Sequence, residues 1–251
     1  MHTGCRKDAS KYNVNHQAPK RVFRPRPLPT LLALALFVGL AGMGQWQWQR
    51  SQEKAVVAAL FAAQEGMVSP FEPGTDYPPF ARISVSGDYL AERQILVDNI
   101  VQNGLAGYYV ITPLAVPGED RLLLVNRGWV EHRADRELPG VGIEQPAVTI
   151  TGRTGQLPNP GIRLDGAAVA TGPWPRVAVF PTTADLAAAL RQDVFPFVLL
   201  LDTPAADGLA REWTPGGMTA ERHLAYAVQW WALALAFAVI FVLINRKTET
   251  A

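Results

Sequence analysis

The stretch with the most chemical potential is "RHLAYAVQWWALALAFAVIFVLINRK", Arg222 to Lys247. It opens on a histidine and becomes a long apolar run. On a helix turning by about 100° per residue, His223, Ala227, Trp230, Ala234 and Phe241 fall in one narrow sector, with Tyr226 and Phe237 beside it. Leu224, Val228, Trp231, Leu235, Val239 and Val242 form a separate stripe, suited to lipid. A neutral imidazole is a competent axial ligand for heme iron. Alanines deeper on the same face would leave a shallow groove for a flat macrocycle, with Trp230 and Phe237 against its edge. The same residues also fit a plainer role. Histidine at a membrane surface hydrogen-bonds headgroups or water, and aromatic side chains favour that zone regardless.

Other chemistry is scarce. His132, in "EHRADRE", has no second histidine near it and no ligand spacing for a metal, so it is expected in a solvated turn. There is no GxSxG, and Ser84 and Ser86 alternate as polar-face strand residues do. No GxGxxG or GxxxxGK[ST] phosphate loop occurs. Nothing makes a positive case for an enzyme. Cys5 is the sole cysteine, which leaves the region after it without disulfide, CxxC or thiolate-metal chemistry.

The elements that would position His223 follow from hydropathy. Residues 28–48 and 223–244 are each long enough to cross ~30 Å of hydrocarbon, and neither carries a charge in its core. The basic stretch before the first is long and no A-x-A site follows it, so the segment is expected to stay as an anchor. Charge is asymmetric: the tails are basic, while residues 45–222 hold 14 Lys/Arg against 20 Asp/Glu. An acidic folded region argues against nucleic acid as a partner. Basic flanks on the far side of both spans are expected to place both termini, 1–27 and 245–251, in the cytoplasm and residues 49–222 outside it, in the periplasm of a bacterium or the intermembrane space of an organelle, with the spans in the inner (cell) membrane. In the first span, Ala35, Gly39 and Gly42 offer a small-residue face for close helix approach.

Residues 49–222 have the texture of an α+β domain. "AVVAALFAAQ" continues the first span as helix. "ARISVSGDYL" alternates with a period of two. "RQILVDNI", "GYYVITPL", "RLLLVNRGWV", "AVTITGRTG", "PRVAVF" and "FPFVLLLD" add strands rich in β-branched and aromatic residues. "PTTADLAAALRQ" is the one internal helix, with Thr183 as its expected cap. The sum is a mostly antiparallel sheet, open to partial closure into a barrel.

Several stretches together resemble the Surf/Shy family (surfeit locus protein one) of cytochrome c oxidase assembly factors. They are "GQWQWQRSQEK" from Gly44, similar to the family's G-x-W-Q-x-x-R-x-x-x-K; "GYYVITPL" followed by "LLLVNRGWV"; "GLAREWTP"; and "ERHLAYAVQWWALA" from Glu221. Their order fits, and the resemblance covers residues 30–246. Glu131 stands after "NRGWV" where family members commonly have proline. The resemblance implies a role in building subunit I of a heme-copper oxidase, with heme a as transient cargo, His223 as its ligand, and Ala227, Trp230 and Tyr226 around it. Heme a synthase is a further implied partner. Trp46, Gln47 and Arg50 would meet the second span or the oxidase, or simply anchor the helix. Arg127 and Trp129 would brace the domain or pair internally. The competing account is a protein-only scaffold that stabilises a subunit I intermediate without touching heme.

The topology has a direct check. A reporter active only outside the cytoplasm should work when fused near Gly140 and stay silent at Ala251, and the reverse pattern would invert the architecture.

Overall fold

The computed structural model describes residues 21–135, 137–158, 172–202 and 209–248. Cys5 and most of the basic tail lie outside the described residues. In chain order, two apolar helices flank a mixed β-sheet domain. Helix α1 runs Pro27–Ala63 and helix α3 runs Ala220–Asn245, both long and apolar enough to cross a membrane. The chain is a two-span membrane protein. The short helix α2, Thr183–Leu190, belongs to the sheet domain. The chain divides into a compact unit Val56–Gly217 and a second unit formed by the remaining ends. α1 is unbroken past residue 48, so the expected domain start at 49 falls within a helix.

The sheet has eight strands: β2 Val68–Pro70, β3 Arg82–Tyr89, β4 Ile95–Gln102, β5 Leu105–Ala115, β6 Leu122–Glu131, β7 Ala147–Gly155, β8 Arg176–Val179 and β9 Val194–Leu201. Their order is β2-β3-β7-β9-β6-β5-β4-β8. The expected strands are all present. Most pairs are antiparallel, but β2–β3, β4–β8 and β6–β9 are parallel. β3 also meets β5, through Asp88↔Ala115 and Tyr89↔Leu114 only. The sheet therefore curls back on itself at one end without continuous closure into a barrel.

Burial follows side-chain period. In β3, Ile83 and Val85 are buried, whereas Ser86 on the opposite face bonds Thr149 across the strands at 2.8 Å. β6 is central and covered on both faces. Leu122 and Leu124 pack with Ile95, Ile111, Leu186 and Val198, whereas Leu123 and Val125 pack with Ile83, Leu114 and Leu199. That is why "LLLV" carries no alternation. The β4–β5 hairpin turns at Asn103 and Gly104, both with positive φ, as a two-residue turn of this hand requires. α2 is capped by Thr182, one residue before the expected Thr183. The Thr182 hydroxyl accepts from the Asp185 amide, and the Asp185 carboxylate accepts from the Thr182 amide. Only at 182 can the side chain reach the third helical amide and complete this box.

The last turn of α1 has no basic residue of its own. Two arginines from the sheet supply the missing donors. Arg153 donates to the Phe61 carbonyl at 3.0 Å and lies 4.2 Å over the Phe61 ring. Arg82 donates to the Glu65 carbonyl at 2.5 Å and also pairs with Asp202. The first satisfies a carbonyl that the helix end leaves open, and the second holds the turn just past it.

Two substitutions test this frame. Thr182→Ala should cost about 1 kcal/mol, read by thermal or denaturant unfolding. Gly107→Ala should cost more, because a Cβ there would stand 2.2 Å from the Val130 carbonyl oxygen and 2.5 Å from the Trp129 ring, and backbone cannot yield easily.

Candidate functional site

His223 stands in the first turn of α3. Thr219 caps that helix: its hydroxyl accepts from the Arg222 amide at 3.4 Å, and its carbonyl accepts from the His223 amide at 3.2 Å. The cap fixes which residue begins the helix, and so which face His223 shares. At the other end, strand β1, Arg21–Phe23, pairs antiparallel with strand β10, Arg246–Thr248, and the Arg24 amide donates to the Asn245 carbonyl. Phe23 meets Phe241 edge-on at 6.3 Å. α1 and α3 therefore form an antiparallel hairpin.

The seam between them has a heptad-like rhythm. On α3 the inward side chains are His223, Ala227, Trp230, Ala234, Phe237 and Phe241; on α1 they include Ala33, Leu40, Gly44, Gln47 and Ser51. Alternating steps of three and four residues keep one face on the partner helix. The expected α3 sector is the inward one. Ala227 is 0% exposed and Ala234 4%, so this face of α3 is the buried one. A single helix shows its own face but not the register of its mate.

Close approach comes from residues that sequence reading passed over. A Cβ on Gly44 would lie 2.4 Å from Trp231, so the indole rests on bare backbone. Trp231, on the stripe expected to face lipid, is 38% exposed and also covers Gly44. At Gly39 and Gly42 an added Cβ would meet nothing within 4 Å, and Ala35 is exposed. The expected small-residue face therefore points away from α3. The signal was in the rhythm: Gly44 is in step with Gln47 and Ser51, whereas Gly39 and Gly42 are not.

Gln47 and His223 meet directly. The imidazole Nδ1–H donates to the Gln47 amide oxygen at 2.7 Å in a half-buried setting. This bond fixes the tautomer and leaves Nε2 with no hydrogen-bond partner among the described residues. Trp46 and Tyr226 are exposed, at 48% and 40%. Arg50 is exposed and paired with Glu53 at 2.6 Å, one turn along its own helix. Trp230 is half-buried in the seam.

Arg127 and Trp129 take the internal alternative. Arg127 is 5% exposed and donates to the Val141 carbonyl at 2.8 Å. The Trp129 indole N–H donates to the Ile100 carbonyl at 3.0 Å, and its backbone exchanges two hydrogen bonds with Ala210. Both side chains are engaged by backbone carbonyls within the sheet domain. His132 is not merely solvated. Its Nε2 is 2.8 Å from Asp98, and its ring packs 4.3 Å from Tyr108. In the same stretch, the Arg133 guanidinium and the Glu137 amide hold the Asp135 carboxyl down at about 2. Among the described residues no group of three or more His, Cys, Asp or Glu is placed to hold a metal ion.

The family model described as the SURF1 family matches residues 34–235. The chain belongs to the SURF1 family. A relative named "SURF1-like protein", from Rickettsia conorii, is 25% identical over 188 residues, covering 67% of this chain and 70% of the relative. The match takes in the sheet domain and parts of both spans of this SURF1-family chain. With membership comes the general role of a non-catalytic assembly factor in the heme-copper oxidase pathway.

If the seam depends on bare backbone at position 44, Gly44→Leu should force the helices apart. Spin labels on the exposed positions Val38 and Leu233 would report a longer and broader distance distribution than in the parent protein.

Proposed function

We propose that this protein is a membrane scaffold for oxidase assembly: it holds an intermediate of subunit I through protein contacts. The observation that carries this reading is the filled seam. A helix hairpin whose alanine face is closed by its own partner is a rigid two-span element, and rigid elements present a constant surface to a client. The outward faces of α1 and α3 remain apolar, with Leu34, Val38, Trp46, Leu233 and Leu235 exposed. These side chains suit lipid or the spans of another membrane protein.

Heme a delivery is the second reading, and one observation favours it. Gln47 engages Nδ1 of His223 and leaves Nε2 available. A metal-bound histidine is commonly oriented by such a bond to its other nitrogen. Heme a would here be cargo held at the rim of the hairpin rather than in the alanine groove. Trp46, Tyr226 and Trp230 would be its neighbours. The fit is partial, since one imidazole is supplied and the groove is not.

Two variants separate the readings. Ala227→Leu wedges the seam and leaves the histidine in place; His223→Ala removes the imidazole and its bond to Gln47 but adds no bulk between the helices. The scaffold account expects Ala227→Leu to lower the yield of mature oxidase several-fold at equal abundance of the variant, with His223→Ala the milder of the two because only one end contact of the helix pair is lost. Heme delivery through His223 requires His223→Ala to be the more damaging of the two.

A further inference from the structure

The sheet domain holds a cleft that neither reading of the helix pair uses. It lies between the loop joining β2 to β3 and the start of β9, and has a volume of about 720 Å³. Its walls are aromatic. Phe71 meets Phe195 edge-on at 5.2 Å, and Tyr77 meets Phe197 edge-on at 5.9 Å. Phe80 packs against Phe61 at 5.3 Å from a left-handed backbone (φ 65°), a conformation a bulky residue keeps only where its surroundings enforce it. The Tyr77 hydroxyl accepts from the Glu72 amide at 2.6 Å, which pins the loop across the opening. Concavities of this size with apolar, ring-lined walls are ordinary binding sites.

The rim gives the sign of the occupant. Arg121 is already committed: it lies 4.2 Å over the Phe195 ring and 3.6 Å from Glu119. Glu72 and Asp76 are exposed and have no ion-pair partner among the described residues. The uncompensated charge at the mouth is therefore negative, in keeping with the excess of acids across residues 45–222. Arg121 also shows that these rings accept a guanidinium on their faces. An anionic lipid headgroup would be repelled by the same two carboxylates.

We propose that the cleft receives a peptide segment of the oxidase client: one or two apolar side chains enter it, and an adjacent lysine or arginine meets Glu72 and Asp76. This rests on the assembly-factor reading and names one of its contact surfaces. The test uses the full-length protein in oxidase-producing cells, with the photo-crosslinking residue benzoylphenylalanine in place of the exposed Thr75 at the rim. Crosslinked peptides are identified by mass spectrometry. The same experiment is repeated with Glu72→Lys and Asp76→Lys combined, whose folding is checked by thermal unfolding. The expected result is a crosslink to an oxidase subunit, at an apolar segment containing Lys or Arg, that falls several-fold on charge reversal. Crosslinks to lipid alone, to an acidic segment, to nothing, or undiminished by charge reversal would overturn the proposal. Co-purification of subunit I with the parent protein is scored separately. If it persists while the crosslink fails, the cleft assignment falls and the scaffold stands. If it is absent from the parent, the scaffold reading falls as well.

Discussion

In hydrocarbon there is no water to complete a polar group's hydrogen bonds, so a membrane hairpin must close its polar contacts on itself. The bond between the His223 imidazole and the Gln47 amide meets that constraint at one end of the α1–α3 pair. The β1–β10 pairing meets it at the other. The two clasps are separated by about 30 Å, taking ~1.5 Å for each helical residue between them, which is one hydrocarbon thickness. Between them the seam contains small and apolar side chains: Gly44 under Trp231, and the buried Ala227 and Ala234. Van der Waals packing is the force available there, because lipid tails are as apolar as the side chains they would replace. Removing a side chain from the seam leaves a void; adding one separates the helices.

The same constraint explains what was legible in the sequence. A helix announces its inward face by spacing, and His223, Ala227, Trp230, Ala234 and Phe241 lie on one sector whether the partner is a cofactor or another helix. The identity of the partner is a property of two segments some 180 residues apart, and no local pattern contains it. Gly39 and Gly42 attracted notice because they are glycines; Gly44 matters because it is in step with Gln47 and Ser51. In the sheet, strands announce themselves through alternation in β3 and through continuous apolar runs in β6 and β9. The parallel pairings β4–β8 and β6–β9 join segments far apart in sequence, where side-chain pattern is silent about the neighbour. Thr182 against Thr183 is a one-residue difference that only the geometry of the capping box decides.

Arg127 and Trp129 carry a related lesson. A conspicuous "NRGW" invites a functional reading because arginine and tryptophan are interface residues by type. Here both are consumed by backbone carbonyls, of Val141 and Ile100, and the motif is the way β6 ends. Arg82 and Arg153 are ordinary strand residues in the sequence, yet Arg153 closes the end of α1 and Arg82 holds the turn that follows it. Residue type alone does not separate these cases. The carbonyls left open by a helix end or a strand end determine where an arginine is needed.

On the proposed scaffold reading of this SURF1-family chain, the buried seam, the outward apolar surface and the acid-rimmed aromatic cleft all serve to hold a client protein. The most direct measurement is to isolate the full-length protein from cells unable to synthesise heme a and to quantify the subunit I that comes with it. The scaffold account predicts the same yield of complex as in heme a-producing cells. A complex that forms only when heme a is made would contradict it.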